Sequence, residues 1–169
     1  MGTDSKCVKY DLSELELYKK KKLKLHFLRS LDVQEQGRPV VVHTLEGDVT
    51  IVAGEDRYIM IGPHEDVYPI SKAQFESKYQ VVEGVDMEAV RATSQLYGVD
   101  ITRIKACRVV KDSYVYACRV DKEFSVYTKH CDSVLSGKAG DYYAVTYEDT
   151  DNVYIIQQDI MKETYEKVI

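Results

Sequence analysis

His130 and Cys131 are neighbours whose side-chain types point to nucleophilic chemistry, because an imidazole that takes a thiol proton makes a thiolate. Neighbours on an extended chain face opposite ways, so this pair does not form that contact by itself. His43 occupies a related turn in the first half of the chain. It could approach Cys131 across the related turns, although an inert turn cysteine is the expected reading. Asp141 is the third candidate. It follows Gly140 at the entrance to a strand-like run, where a carboxylate either faces a ligand or bonds nearby backbone N–H groups and holds the turn. Glu55 stands at the matching place in the first half and suits either role. Asp141, His43 and Cys131 therefore form the candidate ligand-binding set, with a pocket expected at the junction of the two halves.

Lys19, Lys20, Lys21 and Lys22, backed by Lys24, His26 and Arg29, make the strongest basic cluster and the candidate partner-binding residues. Such a run would meet an acidic partner, a nucleic acid or an anionic lipid surface. It equally suits a solvated helix end, where lysines complement the helix dipole. The net charge of −5 argues against nucleic acid as a general partner. The four histidines, His26, His43, His64 and His130, fall on different strands and turns, so no metal site is expected. No phosphate-binding loop, dinucleotide fingerprint or hydrolase motif is present, and neither a catalytic constellation nor a cofactor is expected. Cys107 and Cys118 lie in apolar strand-like runs, as buried thiols of an intracellular protein would. No apolar run is long enough to span a bilayer, and residues 1–11 lack the apolar core of a secretory signal, so a cytoplasmic location is expected.

The elements that must position these residues are written twice. Residues 53–82 lie over 139–168 without a gap. Identities fall at Ala53/Ala139, Gly54/Gly140, Val67/Val153, Tyr68/Tyr154, Ile70/Ile156, Tyr79/Tyr165 and Val82/Val168, on glycine and large apolar positions that a shared fold demands. In each copy a strand (57–61, 143–147), a polar turn and a second strand (67–70, 153–156) predict a hairpin. A short helix follows. Ser71 and Gln74 read as its capping box, and Phe75 with Tyr79, or Met161 with Tyr165, share a face that must pack on the hairpin. Upstream, 39–44 matches 124–128 and 23–31 matches 104–110, with a few extra residues in copy two that include 114–119. Helices are expected over 11–20, beginning at Asp11, and over 86–97, from Asp86 to a stop at Gly98. The expected fold is α+β: two tandem copies, 10–84 and 85–169, of a small antiparallel-sheet module with a leading helix and a short C-terminal helix. The absence of a linker between them predicts that they pack as one body.

These residues resemble the PGDYG family, known by its Pro-Gly-Asp-Tyr-Gly motif. Copy two keeps Gly140-Asp141-Tyr142, with Ala139 and Tyr143 at the flanking positions. Copy one has Gly54-Glu55-Asp56, then Tyr68-Pro69-Ile70, Phe75 and Tyr79. The resemblance implies a strand, hairpin and helix, and no reaction. With fourteen Tyr, three Phe and no Trp, the chain has many rings that are apolar on the face and polar at the tip, which suits half-buried sheets and partner interfaces. The function expected is a binding or assembly module with a protein partner. The rivals are a small enzyme or metabolite-binding protein with its site at the junction, and a structural subunit of a larger assembly.

Overall fold

The computed structural model describes residues 7–93, 95, 99–129 and 132–169. In chain order the strands are Glu16–Lys20 (β1), Lys24–Arg29 (β2), Pro39–Thr44 (β3), Gly47–Val52 (β4), Arg57–Ile61 (β5) and Val67–Ser71 (β6). The helix Lys72–Lys78 (α1), the strand Tyr79–Val82 (β7) and the helix Met87–Arg91 (α2) come next. Then follow Lys105–Val109 (β8), Tyr114–Arg119 (β9), Phe124–Thr128 (β10), Ser133–Gly137 (β11), Tyr142–Thr146 (β12) and Val153–Ile156 (β13). The helix Gln158–Thr164 (α3) and the strand Tyr165–Lys167 (β14) end the chain.

Strands dominate, with fourteen against three short α-helices among the described residues. This mostly antiparallel β architecture corrects the expected α+β repeat with a leading helix in each copy. Residues 11–20 hold one 3-10 turn, Leu12–Glu14, and then β1. In a helix the lysine run would set like charges three and four residues apart, whereas a strand alternates them between faces. β1 is also laddered on both sides, to β9 and β14, which supplies hydrogen bonds along its whole length. The second expected helix shrinks to α2. Asp86 does cap it, accepting from Glu88 and Ala89 N–H at 3.1 and 3.2 Å, but the helix stops at Arg91. The expected stop at Gly98 lies outside the described residues.

The chain divides into two compact units, Lys22–Lys111 and Met1–Lys21 with Asp112–Ile169. In the first, the sheet order is β6-β5-β2-β8-β7, with β3 and β4 as a separate two-stranded ribbon. β2 is central, and Leu25, His26, Phe27 and Leu28 are all buried, as expected of a strand covered on both faces. The core gathers Leu25, Phe27, Met60, Phe75, Tyr79, Cys107 and Val109. Ser71 caps α1 as the sequence predicts, its Oγ accepting from Gln74 N–H at 3.1 Å while Gln74 Oε1 accepts from Ser71 N–H at 3.3 Å. Tyr79 lies just past the helix and opens β7, with its ring stacked on Phe75 at 5.3 Å.

In the second unit the order is β13-β12-β9-β1-β14, with β10 and β11 as the ribbon. Val115, Ala117, Ala144, Ile156, Ile160 and Met161 form its core. Gly137 is required there, because a Cβ would lie 2.4 Å from a ring carbon of Phe124 on the facing strand. The upstream alignment of the two halves is corrected. β9 holds the central place that β2 holds in the other sheet, while β8 and β1 hold the next place along. Residues 114–119 are therefore a full strand, not an extra segment. The length difference lies after it, where 30–38 connect β2 to β3 and only 120–123 connect β9 to β10.

Candidate functional site

The ribbons carry the exposed apolar side chains most regularly. Along β3 and β4, Val42, Val49 and Ile51 turn inward, and the strand alternation sends Val41, His43, Thr50 and Val52 outward. Val41 is 50% exposed and Val52 59%. Along β10 and β11, Val126 and Leu135 are buried, while the directly paired Tyr127 and Val134 are exposed. The Tyr127 hydroxyl donates to Asp132 Oδ1 at 2.6 Å and pins that ring.

His43 sits on the outer edge of β3. Its Nδ1 lies 2.7 Å from Asp48 Oδ1, and both side chains are largely exposed. The backbone of His43 is more closely engaged. Its N–H donates to Gln95 Oε1 at 3.2 Å, and its carbonyl accepts from Gln95 Nε2 at 2.7 Å. Cys131, the third member of the candidate ligand-binding set, and His130 lie outside the described residues.

Asp141 is buried at 4% exposure, with both carboxylate oxygens engaged. Oδ2 accepts from Lys138 N–H at 2.9 Å and Oδ1 from Gln158 N–H at 3.1 Å. The carboxylate thus ties the turn before β12 to the first turn of α3. In the other unit the matching helix N–H, from Lys72, goes to the backbone carbonyl of Asp56 at 2.8 Å instead. Gly140 before Asp141 has φ of +100°, and a Cβ there would come within 2.9 Å of the Gln158 amide, so glycine and acid act together.

The lysine run is not a helix end. Lys19 and Lys20 belong to β1, Lys19 Nζ pairs with Asp112 at 3.3 Å, and Lys20 Nζ stands 6.0 Å over the Tyr165 ring. Lys21 donates its N–H to Thr164 O at 2.7 Å, and Lys22 is exposed beyond it. Lys19 and Lys20, as neighbours on β1, point to opposite faces of that strand.

Two polar clusters escaped the sequence reading. Asp32 has a buried carboxylate that accepts from Arg29 N–H at 2.9 Å and from the Arg29 guanidinium at 2.9 Å, with Arg103 at 3.5 Å. Burial works to raise its pKa, but the Arg29 hydrogen bonds and charge, with Arg103, hold it below the ordinary carboxylate value. The spacing of Arg29 and Asp32 hints at this, whereas Arg103 is brought in only by folding. The other cluster lies around Tyr143, whose buried ring meets Tyr10 edge-on at 4.9 Å and whose strand partner is Cys118. Burial, with the nearby Glu14 charge, pushes the Cys118 thiol up, so it stays protonated and unreactive at neutral pH.

Among the described histidines, His26 is the buried one. Its Nε2 accepts the Asp86 N–H at 2.9 Å, which places the ring proton on Nδ1 and holds the start of α2. Burial, reinforced by the Lys24 charge and only partly opposed by Asp86, lowers its pKa. The unfolded chain therefore takes up this proton more readily than the folded one. The stabilisation is whole above an unfolded pKa of about 6.5 and is lost as pH falls below that value toward the folded pKa. Thermal melts at pH 7.5 and 5.5 should show a drop that His26→Gln, which retains an acceptor but does not titrate, largely removes. An equal drop in both proteins would clear His26 of this role.

Among the described residues, no group of three or more His, Cys, Asp or Glu side chains is placed to hold a metal ion, and no helix is long and apolar enough to cross a membrane. Set against family models, curated proteins and solved structures, the chain matches none of them.

Proposed function

We propose that the protein is a non-catalytic binding or assembly module that offers its two ribbons to a protein partner. The observation that carries this reading is the outward apolar pair on each ribbon, Val41 with Val52 and Tyr127 with Val134, on strands whose inner residues already serve the core. Apolar side chains repeated on the exposed faces of two similar elements mark a contact surface better than scattered single residues do. The reading includes a duplicated scaffold, supported by the gapless pairing of 53–82 with 139–168 and by the common strand order of the two sheets. Kinship with the PGDYG proteins belongs to the same proposal and rests on the motif residues alone. So does an intracellular location, which a fully buried Cys107 thiol suits.

The test is affinity capture from the protein's own cells, with size-exclusion chromatography and light scattering on the purified chain. Wild type is compared with Val41→Ser/Val52→Ser and Tyr127→Ser/Val134→Ser. A stoichiometric partner, or self-association, that is lost in one or both double variants supports the module. A monomer without any partner sinks it, as does a partner retained in full by both variants.

A further inference from the structure

The outer edge of each ribbon is used in a different way. In the unit that contains β10, residues 7 and 8 lie alongside that strand. Cys7 forms a parallel bridge with Ser125, and Val8 N–H donates to Ser125 O at 2.8 Å. The chain thus lays its own N-terminal segment against the edge of one ribbon through this bridge. In the other unit no strand besides β4 pairs with β3 among the described residues, and a side chain bonds its outer edge instead. The Gln95 carboxamide offers one acceptor and one donor, as a peptide group does, and it takes up the N–H and C=O of His43 together.

The register shows how far this edge extends. The ribbon closes at Thr44 and Gly47 over a two-residue turn, and the ladder alternates from there. His43 turns its backbone groups away from β4, and Val41, two residues along, turns its own to the same side. Val41 is also half exposed. A row of outward backbone groups flanked by an exposed valine is a template for strand addition.

We infer that the outer edge of β3, at Val41 and His43, docks an added β-strand, and that the occupant is the N-terminal segment around Cys7 and Val8 of a second copy of this chain. This rests on the module reading above and names its partner. That segment is the one seen to lie on the outer edge of a ribbon in this protein. Gln95 guards the edge in the isolated chain and is displaced when the strand arrives, its two hydrogen bonds being replaced by backbone ones.

The probe is a labelled synthetic peptide of residues 1–12, titrated into the full-length protein under reducing conditions and followed by fluorescence anisotropy. Gln95→Ala removes the guard and should tighten peptide binding about tenfold, the scale of one or two net hydrogen bonds. Val41→Pro deletes an outward N–H without cutting a ladder bond to β4, and Val41→Lys leaves the backbone intact while placing a charge on the edge. Each should weaken binding at least about tenfold, with unchanged circular dichroism showing that the ribbon has kept its fold. Absence of peptide binding to the Gln95→Ala protein would overturn the inference, as would equal binding by wild type and both Val41 variants. If a different protein is captured through the ribbon faces while the peptide does not bind, the inference alone fails. A monomer with no partner of any kind fails both readings.

Discussion

Replacing Phe75 with alanine should cost about 3–5 kcal/mol, the usual penalty for emptying a buried aromatic site. Phe75 is the residue through which α1 holds its sheet. Its ring lies 4.4 Å from Phe27, 5.0 Å from Tyr58 and 5.3 Å from Tyr79, and it is 4% exposed. Four rings from two strands, the helix and the residue after it meet there, so truncation opens a cavity that rigid neighbours on a laddered sheet cannot close. Phe75→Leu fills most of that space and should lose much less. Since domains are stable by only about 5–15 kcal/mol, the alanine variant should unfold at a clearly lower urea concentration. With fourteen Tyr and no Trp, tyrosine fluorescence and circular dichroism are the natural probes. A loss below about 1 kcal/mol would mean that α1 is held by something other than this cluster.

Asp141→Ala should be the next most damaging change, at about 2–4 kcal/mol, because it strands the Lys138 and Gln158 N–H groups that the carboxylate now satisfies. Each bond to an ionised acceptor is stronger than its neutral counterpart. Asp141→Asn retains one acceptor oxygen and should fall between wild type and alanine. Urea melts of the three proteins order the series. A silent alanine variant would remove the structural role given to this carboxylate and reopen a ligand-facing one. The other unit meets the matching requirement with the Asp56 carbonyl, so no equal sensitivity is expected at Glu55, whose side chain is not used in this way.

Much of this was legible in local sequence. Short runs rich in Val, Ile and Tyr, bounded by polar turns, mark β3, β5, β10 and β13 at their observed bounds. Ser71 and Gln74 announce the start of α1, and Gly140-Asp141 announces a tied turn, because a capping box and a glycine-acid turn are made by residues a few positions apart. Of the two roles open to Asp141 in the sequence, the bonds from Lys138 and Gln158 N–H match the carboxylate that holds the turn.

What failed to show in the sequence depends on partners distant along the chain. Residues 16–20 carry a lysine run that reads equally as a helix end. They become a strand because β9 and β14 flank them with ladders, and those partners lie about a hundred residues or more away in the chain. β8 resembles β2 in composition, yet it lies beside β2 in one sheet and does not serve as its counterpart in the other. The reach of Arg103 to Asp32 and of Gln95 to the His43 backbone is likewise fixed by folding alone. Sequence by itself determined the hairpins, the cap and the tied turn, whose energies are local. Tertiary structure decided helix or strand for 11–20, the neighbour of each strand and the guarded edge of β3, because backbone hydrogen bonds in a sheet are completed by whichever strand folding brings alongside.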